Sequence, residues 1–239
     1  MTVETAALAA LLVAGHALGD FVFQTDWMIG RKSRPAGLLS HGAVVALCHV
    51  VALAPFFGRP AVLAVVAIAV AHVLVDAIKA AVAARSRSHE LEGFVLDQLV
   101  HLGVIAGAWL WLAPRVRVTA PWFAPESLFA LGVVVAAYAF NVNGMSAVVA
   151  GVLSRHRITP SHTGPSAGRL IGILERMFTL TLILLDRWDA VALLLAAKSL
   201  ARFKELDERQ QAEYYLVGTL ISLLGATATA LAVRALLRL

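Results

Sequence analysis

The chain has a single cysteine, Cys48, set inside an apolar run. One thiol closes no disulfide within the chain and cannot build a four-thiolate metal site. Charge is scarce as well: Asp, Glu, Lys and Arg supply 15% of the 239 residues, where soluble domains carry about 25%. A soluble domain of this size needs a mostly polar exterior, and there are too few polar residues here to make one. No glycine-rich phosphate loop, no nucleophile elbow and no haem-attachment motif occurs. The apolar runs are long, rich in Ala and Leu, and lack period-two alternation, which excludes a strand reading.

What is abundant is apolar surface. Hydrophobic residues make up 60% of the chain and the mean hydropathy is +0.81. Lipid is the solvent that tolerates such a composition. The net charge of +5 does not point to nucleic acid, because the basic residues sit in short clusters between apolar runs, where the positive-inside rule expects them. The partner implied is the lipid bilayer, and the location a multi-pass protein of the bacterial cytoplasmic membrane. Arg31, Lys32, Arg34, Arg155 and Arg157 weigh one side more heavily than Arg59, Arg115 and Arg117 weigh the other, which puts the first set in the cytoplasm and both termini outside. Glu4 and the lack of a basic leader make the first apolar run a retained span rather than a cleaved signal.

The fold class is all-α: a transmembrane bundle of about eight helices, near 4–30, 39–57, 60–84, 94–113, 126–152, 170–186, 189–204 and 214–237. The sixth and seventh are short and joined only by Arg187-Trp188, so a hairpin that does not cross leaves fewer true spans. Two halves are expected, residues 1–113 as a four-helix half and 114–239 as a second half of about four helices.

The first half carries an unusual set of polar residues at helical spacing. His16, Asp20, Gln24 and Trp27 step along one face of the first helix. His41 and His49 share a face of the second, and His72, Asp76 and Lys79 a face of the third. The fourth opens with Asp97-Gln98 and has His101 one turn later. An ionisable group at mid-membrane costs about 2.5–3.5 kcal/mol on insertion scales, so several on each of four neighbouring helices form a pattern. Counted from the helix ends, Asp20, His49, His72, Asp76 and His101 fall roughly 10–20 Å into the bilayer.

Neutral imidazole and carboxylate are good ligands for a divalent ion such as zinc or manganese, and a His-x-x-x-Asp step places two donors one turn apart. On this reading His16, Asp20, His72, Asp76 and His101 hold metal. His41, His49 and Asp97 act as catalytic acid or base or as further ligands, and Gln24 and Lys79 position substrate. The activity implied is a metal-dependent hydrolase acting on a phosphoester or lipid-linked substrate at the cytoplasmic leaflet. Two other readings use the same residues: a transporter of metal ions or protons, and a scaffold whose polar core is only structural. A weaker set, Asn141, Asn143, Glu175, Arg176, Lys198, Arg202 and Lys204, lies in the second half, with Glu175 expected to pair with Lys198 or Arg202.

The segments Gly15-His16-Ala17-Leu18-Gly19-Asp20, Leu39-Ser40-His41-Gly42, Ala71-His72-Val73-Leu74-Val75-Asp76 and Leu96-Asp97-Gln98-Leu99-Val100-His101 resemble a bacterial integral membrane family catalogued as domain of unknown function 3307. The later runs at 168–176, 197–203 and 213–220 look like the continuation seen in its longer members. The resemblance implies the kind of protein and no activity. In style, the helical His-x-x-x-Asp pairs are also similar to those of helical zinc phospholipases and nucleases.

Overall fold

The structure is a computed structural model and describes residues 2–83, 90–119, 122–159, 167–201 and 207–239. It is all-helical, with no strand among the described residues. Helix α1 spans Val3–Phe21, the short α2 Asp26–Ile29, α3 Pro35–Ala52, α4 Arg59–Ala83 and α5 Glu90–Leu112. Helix α6, Pro125–Ala139, runs through a π turn at Phe140–Gly144 into α7, Met145–Arg155. Helices α8, Ala167–Leu184, α9, Trp188–Ala201, and α10, Arg209–Leu237, complete the order.

Six of these stretches are long and apolar enough to cross a membrane: Val3–Phe21, Pro35–Ala52, Arg59–Val82, Leu91–Leu112, Pro125–Arg155 and Arg209–Leu237. Helices α8 and α9 fall outside that set. The first carries Arg169, Glu175 and Arg176, and the second has only 14 residues, about 21 Å at 1.5 Å rise. The short pair expected from the sequence is therefore the pair that does not qualify.

The first helix is shorter than its sequence pattern suggests. It starts at a Thr2 cap, whose hydroxyl accepts from the Thr5 N–H, and ends at Phe21, where Val22 N–H closes onto Leu18 O. The continuation fails because Thr25 caps a new helix, accepting from Met28 N–H. Gln24 and Trp27 thus do not lie on one helical face with His16 and Asp20. Trp27 is exposed on α2, with the Arg31 guanidinium 4.6 Å above its ring. The break also places Asp20 one residue from its helix end.

The contacts divide the chain into two compact units, residues 1–88 with 92–139, and 89–91 with 140–239. The division falls at the start of the π turn, and α6, which packs along α1, belongs with the first four spans. Gly132 permits that approach: a Cβ there would stand 2.7 Å from the Ala10 carbonyl carbon, which is backbone and cannot yield. Small residues let helices come close where lipid gives no hydrophobic drive.

Within the first unit α1 packs on α3 and α6, and α3 on α4. Leu8, Leu12, Val45, Phe56, Ile68, Ile105 and Leu112 form its apolar core at one end. The Trp109 indole ties α5 to α1 by donating to Thr5 O at 2.8 Å. The outer face of α4 is apolar in steps of four, with Val62, Val66, Val70, Leu74 and Ile78 all exposed, while His72 and Asp76 are buried. Apolar residues outside and ionisable residues inside is the arrangement a lipid solvent selects. In the second unit α10 packs on α7 and α8, and α8 on α9.

Candidate functional site

The polar residues of α1, α3, α4 and α5 meet inside the first unit. His16, His41, His49, His72, Asp76, Asp97 and His101 are each no more than 9% exposed. The tightest part is a triangle of donor atoms from three helices. His41 Nε2 lies 2.9 Å from His72 Nε2 and 3.3 Å from Asp20 Oδ1, and His72 Nε2 lies 3.2 Å from that same oxygen. Asp76 Oδ2 stands over it, 3.7 Å from His41 Nε2 and 4.0 Å from His72 Nε2. Tetrahedral ligands bound at 2.0–2.1 Å lie roughly 3.3 Å apart. The separations of this N2O2 set scatter around that edge length.

Hydrogen bonding alone does not account for the crowding. Gln24 also reaches His41 Nε2, at 2.9 Å, from the break between α1 and α2. A ring nitrogen carries one proton or one lone pair, and His41 Nε2 faces four polar groups at once. Asp20 Oδ1 and Asp76 Oδ2 are buried without an aligned hydrogen bond among the described residues. The Lys32 ammonium stands 2.8 Å from Asp76 Oδ2 but off that alignment.

A second group adjoins the first. Asp76, Asp97 and His101 present donor atoms within 4.8 Å of one another, as do His16, Asp20 and His72, and His41, His72 and Asp76. These trios overlap at His72 and Asp76. The His101 Nδ1–H donates to Asp97 O at 2.9 Å, which turns the lone pair of Nε2 inward, where it has no hydrogen-bond partner among the described residues. The Lys79 ammonium donates to Asp97 Oδ2 at 2.6 Å and is 43% exposed, so it marks the open side. The His72 and His101 rings lie 4.1 Å apart, and His16 stacks on His101 at 5.4 Å.

Two expected members stand apart from the triangle. His16 Nε2 is 3.9 Å from Asp20 Oδ2, and as Nε2–H it donates its closer contact to Gln98 Oε1, at 3.2 Å; the Gln98 amide nitrogen faces the Asp20 and Asp97 carboxylates. His49 belongs to none of the donor trios. Its Nδ1–H donates to Val45 O at 2.8 Å, and its ring lies against Gly15 of α1.

Two residues that the sequence pattern did not single out sit in the cluster. Gln98 bridges Asp20, Asp97 and His16; its place beside Asp97 was the only signal. Lys32 reads in the sequence as one more basic loop residue, and nothing in its spacing ties it to Asp76. In the second unit, Glu175 pairs with Lys198, while Arg202 and Lys204 lie outside the described residues.

Fold and cluster together define a multi-pass helical membrane protein with a buried centre rich in histidine and aspartate. The chain belongs to the DUF3307 family, described as a protein of unknown function, whose model matches residues 7–130 and so just over half of the chain. Every residue of the cluster lies in the matched stretch, and the C-terminal runs that resemble the same family lie beyond it. No curated protein and no solved structure matches the chain.

Proposed function

We propose that this protein is a membrane-embedded, metal-dependent hydrolase. Asp20, His41, His72 and Asp76 hold a divalent ion of the zinc or manganese class, and Asp76, Asp97 and His101 offer a second position. The substrate is a phosphoester or a lipid-linked molecule entering from the cytoplasmic leaflet. The observation that carries this reading is the donor triangle of Asp20, His41 and His72, with edges of 2.9, 3.2 and 3.3 Å, under the Asp76 carboxylate. On this reading His41 serves as a ligand, and Gln98, bonded to both His16 and Asp20, holds the Asp20 carboxylate in place.

Charge supports the substrate class. Asp20, Asp76 and Asp97 carry three negative charges, and Lys32 and Lys79 two positive ones. With neutral imidazoles the bare cluster is net −1; one divalent ion makes it +1 and a second makes it +3. A low-dielectric site with that surplus favours an anion, and phosphate is the anion that two ammonium groups and a divalent ion together bind well. The bound ion supplies Lewis acidity and an activated water. Lys32 and Lys79 hold the substrate phosphate at the open side, and with only the first ion bound the free inward lone pair of His101 is placed to take a proton.

The test is elemental analysis of the full chain purified in mild detergent, with metal-dependent release from phosphodiester and lipid-phosphate substrates. The reading requires about one or two divalent ions per chain and turnover lost in Asp20→Asn. Protein that retains no divalent metal and hydrolyses none of these substrates defeats it. One observation favours a second reading, transport of protons or metal ions: the His41, His72, His101 and His16 rings follow one another at 4.9, 4.1 and 5.4 Å. Ion uptake into liposomes, abolished by Asp20→Asn and Asp76→Asn, would establish that reading in place of hydrolysis.

A further inference from the structure

A second polar centre lies in the other unit and has no part in the cluster. Arg176, near the middle of α8, is 4% exposed. Its Nε–H donates to Asn141 O at 2.7 Å, and Nη2 donates to Val142 O at 2.9 Å and to Ser146 Oγ at 2.6 Å. Nη1 donates to Ser222 Oγ at 3.2 Å. The acceptors Asn141 O and Val142 O come from the π turn, which frees carbonyls from the regular helical ladder. All four acceptors are neutral. The neighbouring acid, Glu175, is taken by Lys198, whose ammonium also lies 5.3 Å from the Tyr215 ring centroid.

A buried guanidinium without a carboxylate is expensive. One of its five N–H groups, on Nη1, is left over after the four bonds above. Gly172, one turn earlier on α8, keeps that side clear, since a Cβ there would stand 3.3 Å from Nη1. Beside it opens a cleft whose enclosed part is about 20 Å³, room for about one water or one phosphate oxygen. Its polar end is made by Arg176, Lys198, Glu175 and Ser222, and its other wall by Leu194, Leu195 and Leu223. The lining charges sum to +1. A cleft with a cationic end and an apolar wall, formed between helices of a membrane protein, suits a headgroup phosphate with the first carbons attached to it.

We infer that this cleft binds a phosphate-bearing anion at Arg176 and Lys198. It is independent of the metal reading, because it shares no residue with the cluster. The experiment is thermal unfolding of the full chain in a neutral detergent, with phosphatidylglycerol, phosphatidylcholine or inorganic phosphate added. Phosphatidylglycerol is expected to raise the melting temperature by several degrees and phosphatidylcholine to leave it in place. A rise with inorganic phosphate as large as that with the anionic lipid identifies a free anion as the source; a rise with the lipid alone identifies a headgroup. Charge must tune the shift: Lys198→Gln abolishes it and Glu175→Gln enlarges it. A purely structural Arg176 would move the baseline melting temperature of such variants and not the anion-dependent part. No shift with either anion, an equal shift with phosphatidylcholine, or a shift unchanged in Lys198→Gln overturns the inference.

Discussion

Replacing His72 is the most direct test of the cluster. Its Nε2 is one corner of the donor triangle, and the residue belongs to two of the three overlapping trios. Structural zinc sites hold their ion by about 10–16 kcal/mol near neutral pH. Shared among four ligands, one ligand carries roughly 2.5–4 kcal/mol, which at about 1.4 kcal/mol per decade is a loss of roughly a hundred- to a thousand-fold in Kd. His72→Ala should therefore weaken zinc binding by that factor, and His72→Asn should do nearly the same with less lost volume. His49→Ala is the matched control. It removes another buried imidazole of the same unit, but one outside every trio, so the expected change is under about threefold if only ligands matter. Zinc affinity is read by competition with a chromophoric chelator in mild detergent, and circular dichroism checks that each variant keeps its helices. Equal zinc affinity in the His72 variants and the parent would refute the assignment. So would a loss in His49→Ala as large as that in His72→Ala.

Lys32→Met removes the ammonium beside Asp76 and keeps most of the aliphatic stem. With a like charge gone from next to the ion, zinc should bind on the order of tenfold tighter; isothermal titration that finds weaker or unchanged binding contradicts the placement of Lys32. Gly132→Ala should destabilise the first unit by about 1–3 kcal/mol, because the new methyl meets the α1 backbone. Gly103→Ala, with nothing within 4 Å of the new Cβ, should be neutral or stabilise by up to about 1 kcal/mol. Indistinguishable melting curves for these two variants would argue against the close α1–α6 approach. Stripping metal with a chelator should lower the melting temperature by several degrees, since an ion that binds only the folded chain stabilises it by mass action. Superimposable curves with and without chelator, at matched ionic strength, would count against a bound ion.

Much of this protein is written locally. Composition alone demands a lipid solvent, and the steps His16–Asp20, His72–Asp76 and Asp97–His101 place each pair on one helical face whatever the helices do next. Residue types with ligand chemistry were visible for the same reason, since ionisable groups stand out in apolar runs. What a helical period does not encode is the rotation of each helix against its neighbours, or the path of the chain between them. Those decided that His41 as well as His16 comes within reach of Asp20 and His72, and that His49, on the face predicted to share the site, belongs to no trio. The early stop of α1 put Gln24 in a loop, yet the loop still carries it to His41, and it delivers Lys32 to Asp76. The grouping of α6 with the first four spans likewise rests on its packing along α1, tight at Gly132 against Ala10, residues more than a hundred positions apart. Local spacing chose the faces, and only three-dimensional packing, where distant residues compete for the same few ångströms, chose which donors share a point.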